Sequence, residues 1–192
     1  MQANQSVGLM DWGNIMITRR NFLKVATCTV TALAAPAAIA KPVDLRERRL
    51  RFHNLHTGEN LNSTYWADGT YIAEELAAID YVLRDHRNNE VTPIDRRLLD
   101  LLNSLQQSVD KQGIFQVISG YRSPETNARL QRNTSGVAKR SLHLQGKAID
   151  IRLPGVQLNN LRQAALKLHQ GGVGYYPASN FIHVDTGRPR FW

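Results

Sequence analysis

Ser141-Leu-His-Leu-Gln-Gly-Lys-Ala-Ile-Asp150 sets a histidine and an aspartate seven positions apart around a glycine. Gly146 permits a tight turn, because a residue without Cβ tolerates positive φ. From Lys147 to Arg152 polar and apolar side chains alternate with the period of two that marks a strand. Ile149 and Ile151 fall on one face and Ala148, Asp150 and Arg152 on the other, so the carboxylate stands opposite the side that the isoleucines would bury. Folding back at Gly146 lets the imidazole of His143 and the carboxylate of Asp150 reach one point, as ligands of a shared ion at about 2.0–2.2 Å must. A second alternating run, Phe181-Ile-His-Val-Asp185, puts His183 and Asp185 on one face, with Ile182 and Val184 on the other. It offers a third ligand.

Together with Ser119-Gly-Tyr-Arg-Ser123, the pattern Ser141-x-His143-x-x-Gly146-x-Ala148-x-Asp150 followed by His183 resembles the zinc peptidases of the D-Ala-D-Ala carboxypeptidase and hedgehog-like superfamily. The likeness runs from about Leu50 to Trp192 and takes in Gly171-Gly-Val-Gly-Tyr-Tyr176 and the closing Arg190-Phe-Trp192. It implies one zinc ion per chain on His143, Asp150 and His183, with a fourth position left for water as in catalytic rather than structural sites. It implies hydrolysis of peptidoglycan stem peptides, most simply by an endopeptidase opening cross-links between two diaminopimelate residues. A D,D-carboxypeptidase and a non-hydrolytic zinc-stabilised wall-binding module are the alternatives. Arg122 is expected to hold the oxyanion or a substrate carboxylate through its planar guanidinium, and Ser141 to support the metal site from behind. Tyr121 and Tyr176 are candidates for the substrate groove, and Lys139 and Arg140 for partners of substrate carboxylates. One departure concerns the general base. Many relatives carry an acidic residue or a histidine shortly before the last ligand, but here Pro177, Ala178, Ser179, Asn180 and Phe181 occupy those positions. Asp185, about 7 Å along the strand from His183, is the provisional base, with orientation of His183 as its other role.

Residues 1–40 are expected to be a leader. Thr18-Arg-Arg-Asn-Phe-Leu-Lys24 resembles a twin-arginine export signal, followed by an apolar Val25–Ala35 stretch and a small-residue Ala38-Ile-Ala40 cleavage site. The apolar stretch is too short to span a hydrocarbon core of about 30 Å, so no stable membrane anchor is expected. Thr27 ahead of Cys28 fits a lipoprotein signal poorly. The residues before Met16 lengthen the leader, and Met1, Met10 and Met16 are all candidate starts. The expected destination is the periplasm, reached through the twin-arginine machinery. Loss of Arg19, Arg20, Lys24 and Asp11 with the leader brings the formal charge from +8 to about +6, which favours polyanions such as a carboxylate-rich sacculus. The arginines are scattered and lack interleaved aromatics, which argues against nucleic acid. The leader also contains the only cysteine. The remaining single domain is therefore expected to stand as a monomer on its core and its metal.

Residues 41–48 are polar and read as a linker, leaving 49–192 as the peptidase domain. Arg49–Tyr65 reads as a hairpin turning at Thr57-Gly58. Ile72, Leu76, Ile79 and Leu83 mark a first helix, and Ile94, Leu98, Leu102, Leu105 and Val109 a second that starts with Thr92 as cap and Pro93. Arg84–Glu90 reads as a charged loop. Phe115–Ile118 is a buried strand, Pro124–Gln131 a helix, and Leu158, Leu161, Ala165 and Leu168 a further helical stripe. Val173–Tyr176 and Phe181–Asp185 pair as strands. The fold class this order implies is α+β, a single antiparallel sheet with helices packed on it, as the resemblance also implies.

Overall fold

The computed structural model describes residues 47–133 and 138–192. The expected leader, and all of the expected linker ahead of Glu47, lie outside the described residues. Twelve regular elements follow: β1 Glu47–Asn54, β2 Asn60–Ala67, β3 Thr70–Tyr71, α1 Ala73–Val82, α2 Arg96–Ser108, β4 Phe115–Ser119, α3 Pro124–Asn133, β5 Ala148–Arg152, α4 Leu158–Leu168, β6 Gly172–Tyr176, β7 Phe181–Asp185 and β8 Arg190–Phe191. Leu142–Gln145 and Pro177–Ser179 form short 3₁₀ turns.

The strands form one sheet in the order β3-β2-β1-β4-β5-β7-β6-β8. The class is α+β, as expected, but the sheet is mixed rather than antiparallel. β1 runs parallel to β4, and β6 parallel to β8. The first parallel pair follows from connectivity: the chain leaves the β1–β2 hairpin through α1 and α2 before β4 returns beside β1, and a parallel pair needs a crossover of that kind.

Two further boundaries differ from the sequence reading. β1 begins at Glu47, inside the expected linker, because its charged residues have partners across the sheet. Arg48 bonds Asp100 at 2.7 Å and lies 4.4 Å from the centre of the Trp66 ring. The second helix begins at Arg96 rather than at Pro93, since Asp95 is the cap and accepts from Arg97 N at 3.0 Å. Asp95 also ties this helix start to the later loops: its backbone N–H donates to Gly146 O, and its carboxylate accepts from Thr186 Oγ1.

The core lies on one face of the sheet. Leu98, Leu102 and Leu105 of α2 and Leu161 and Ala165 of α4 join Leu50, Phe52, Phe115, Ile149, Ile151, Ile182 and Val184, all buried. Pairing in register sets Ile149 opposite Val184 and Ile151 opposite Ile182. The same register sets Asp150 opposite His183 and His183 opposite Gly174. The apolar alternation that fills the core thus directs Asp150 and His183 together to the other face.

Candidate metal centre

His143 arrives from outside the sheet on the 3₁₀ turn. Ser141 caps that turn by accepting from His143 N at 3.4 Å. Gly146 ends it in the left-handed region at φ 63°, where a Cβ would also crowd the Pro93 carbonyl. The backbone N–H of Arg122 donates to His143 O, which stitches the Ser119–Ser123 turn to the histidine turn.

Each imidazole is fixed by one nitrogen. His143 Nδ1 lies 2.7 Å from Gly120 O, and because a carbonyl only accepts, Nδ1 carries the proton. His183 Nε2 donates to Asp185 Oδ2 at 3.0 Å. The nitrogens left over, Nε2 of His143 and Nδ1 of His183, stand 3.2 Å apart. Asp150 Oδ1 lies 2.9 Å from the second and 3.4 Å from the first. With both imidazoles neutral, three lone-pair atoms converge with no proton among them, and all three residues are buried. That arrangement is costly unless a cation holds it. Ligands at about 2.0–2.1 Å around a tetrahedral ion stand about 3.3 Å from one another, so the triangle fits zinc. Among the described residues these are the three whose ligand atoms meet in this way.

Electrostatics agree with the geometry. Burial pushes the Asp150 carboxyl up, but His143 and His183 override it and hold the group well below the usual carboxylate range. Burial likewise opposes charge on His183, and the two carboxylates bonded to its ring raise its pKa nonetheless. The direction of both shifts favours positive charge at this point. Metal and proton compete for the same lone pair.

Arg122 reaches the rim of this triangle. Its Nη2 is 3.9 Å from Asp150 Oδ2, while long bonds of 3.4 Å run to Asn127 Oδ1 and Ser119 Oγ. Its Nε is buried and has no hydrogen-bond partner among the described residues. Burial lowers its pKa, yet a guanidinium stays charged at neutral pH.

The other expected site residues divide. Asp185 is fully buried and accepts from His183 Nε2, both terminal nitrogens of Arg190, Gly172 N and Gly187 N. Those donors use the roughly four lone-pair directions a carboxylate has. They outweigh the burial that would raise its pKa, so it is held well below the usual range. Tyr121 is buried: its ring belongs to the core and its hydroxyl donates to Glu90 Oε1 at 2.7 Å. Burial, with Glu90 second, pushes its pKa up to about 12. Tyr176 is exposed and stacks on Phe181. Lys139 and Arg140 stand exposed just before Ser141.

The segment after α1 is the loop that the sequence reading expected, but its first residues are buried. Arg84 and Asp85 are buried, and Asp85 accepts from Ser123 N and Ser123 Oγ. Leu83 O accepts from Tyr121 N. This loop therefore braces the turn that carries both Gly120 O and Arg122. Nothing in the local sequence of Arg84–Glu90 signals this burial, because the partner of Asp85 is a serine 38 positions later.

A family model described as peptidoglycan L,D-endopeptidase MepK matches residues 43–192. The chain belongs to this family. Its likeness to relatives is extensive. The peptidoglycan L,D-endopeptidase MepK of Escherichia coli (strain K12) is 43% identical over 175 residues, covering 91% of this chain and 96% of that protein. The protein of that name from Shigella flexneri matches to the same extent. A probable peptidoglycan L,D-endopeptidase MepK of Haemophilus influenzae is 43% identical over 148 residues, covering 77% of this chain and 80% of its own length. The triangle of His143, Asp150 and His183 and the neighbouring Arg122 all lie inside the span that the MepK family model matches.

Proposed function

We propose that the protein is a zinc-dependent endopeptidase that hydrolyses peptide cross-links of peptidoglycan, with preference for bonds joining two diaminopimelate residues. One observation carries the reading: two oriented imidazoles and a carboxylate aim lone pairs at one buried point in a chain of the MepK family. His143, Asp150 and His183 would hold one zinc ion per chain, which would supply Lewis-acid polarisation of the scissile carbonyl and activation of water. The chain's own residues do the rest. Gly120 O and Asp185 fix the protons of His143 and His183 on the outer nitrogens, which keeps the inner ones free to bind. Arg122 stabilises the negative charge that grows on the carbonyl oxygen. Asp185, whose oxygens already accept from five donors, orients His183 rather than acting as the base.

The site of action we propose is the periplasm, reached by the twin-arginine route. The Thr18–Lys24 signal supports this, and among the described residues no helix is long and apolar enough to cross a membrane. Arg19→Lys with Arg20→Lys should leave unprocessed protein in the cytoplasm. Normal processing of that variant would point to the general secretory route.

The reaction is tested by digesting purified cross-linked muropeptides with the zinc-loaded protein and identifying products by mass. Separated stem peptides are expected. Arg122→Ala should lower kcat about 10²-fold or more with KM little changed, as loss of a contact made mainly in the transition state requires. Release of terminal D-Ala from uncross-linked peptides, with dimers left intact, would show that the wrong bond was assigned.

A further inference from the structure

The end of the chain reaches the metal centre. Trp192 N donates to Val173 O and Tyr175 N donates to Trp192 O, so the residue is held along β6 beyond the last pair of β8. Its indole Nε1 donates to the Tyr176 hydroxyl at 2.8 Å. Its ring passes so close to Gly174 that a Cβ there would meet ring atoms at 2.8–2.9 Å, and Gly174 is the residue paired with His183 across the sheet. The Trp192 ring centre lies 5.2 Å from that of His183. Yet Trp192 keeps 47% of its surface exposed, and Tyr176, stacked at 4.6 Å on Phe181, keeps 37%.

A tryptophan usually contributes by burying a large apolar area. Here the indole is fixed by its backbone, its N–H and a glycine beneath it, and much of it still faces water beside a metal ligand. This is the build of a surface prepared for a partner, placed where a scissile bond must sit. Arg122, on the Asp150 side, marks the other flank of the triangle. Successive residues of an extended peptide are about 3.3–3.6 Å apart, so a carbonyl at the centre places the adjoining side chain within reach of the indole.

We propose that Trp192 is a specificity-determining residue: its indole, held by Tyr176 and Gly174, forms the groove wall on the His183 side and packs against the aliphatic part of the residue flanking the scissile bond. This rests on the peptidase reading above. Trp192→Ala should raise KM on cross-linked muropeptide about tenfold, the scale of a lost apolar contact of one or two methylenes, with kcat within about threefold. Trp192→Phe should recover most of that loss. Zinc affinity, read by chelator competition, should stay within about threefold in both. If Trp192 merely props His183, zinc affinity and kcat fall together while KM holds, and the proposal fails. Unchanged KM in Trp192→Ala overturns it as well.

A binding readout separates this from the activity itself. With Trp12→Phe and Trp66→Phe, Trp192 is the sole tryptophan of the full chain. Cross-linked muropeptide added to this metal-free protein should change its emission saturably, whether or not the loaded wild type cleaves it. No change at saturating peptide, with binding seen by calorimetry, would place the substrate elsewhere. A saturable shift in this variant, with a zinc-loaded wild type that binds the peptide without cleaving it, would sink the peptidase reading and leave the wall standing.

Discussion

At the scale of single residues the site turns on which nitrogen of each histidine is free, and Asp185 decides this for His183. Two guanidinium nitrogens and two backbone N–H groups hold that carboxylate before the imidazole does. Asp185→Asn keeps the shape but turns one oxygen into a donor and removes the charge. It should weaken zinc binding about 10–100-fold, as loss of a partner behind a ligand does, while the fully loaded variant keeps kcat within about tenfold. Chelator competition and steady-state rates at saturating zinc check both halves. A kcat loss of 10² to 10⁴-fold with zinc affinity intact would instead fit a general base. His143, Asp150 and His183 could be read from the chain because the family resemblance singled them out and strand alternation with the turn at Gly146 allows them to meet, as they do, whereas Arg122 rested on the resemblance and the Gly-Tyr turn before it. For Asp185 the strand left two roles open, base or orientation of His183, and the Arg190 and glycine N–H groups that occupy its carboxylate were not legible from its neighbours on the strand. Gly120 O was likewise invisible, because a backbone carbonyl has no signature in a sequence.

At the scale of elements, the segment after α1 shows how buried polar contacts extend the site's support. His86 in that segment stacks on His56 with ring centres 3.9 Å apart and planes 9° from parallel. Burial, then the charges of Arg87 and His56, push its pKa down to about 4, against a weaker pull upward from Asp85. The unfolded chain, near 6.5, therefore binds more protons than the folded one between those values, so stability is present above pH 6.5 and is lost as pH falls toward 4. Urea midpoints at pH 7 and pH 5 should show this loss, and His86→Gln should reduce it. An equal loss in the variant would assign the acid limb to other groups. Strand and helix positions were legible wherever one face is apolar, as in β5, β7, α2 and α4. What eluded the reading depends on distant partners: the parallel pairing of β1 with β4, the helix start set by Asp95, and a strand start at Glu47 held by Asp100 and Trp66.

At the scale of the whole molecule, the three candidate ligands come from a turn and two strands that meet only in the folded sheet, so the site has no counterpart in an unfolded chain. Metal binding is then folding free energy. The described residues have no disulfide to add, because the chain's one cysteine, Cys28, lies ahead of them. Free zinc at 100 times its dissociation constant contributes about 2.7 kcal/mol. For a domain of roughly 150 residues each kcal/mol moves Tm by about 2–4 °C, so zinc should raise Tm by about 5–10 °C over the chelated protein. The gain should vanish in His143→Ala, which removes a ligand whose proton is already committed to Gly120 O. It should persist in Arg122→Ala, since that side chain approaches Asp150 without belonging to the triangle. Differential scanning calorimetry of the three proteins with zinc and with chelator distinguishes the cases. Equal Tm values for the wild type under both conditions would mean that the buried cluster holds a proton at His183 rather than an ion, with the two carboxylates as its partners.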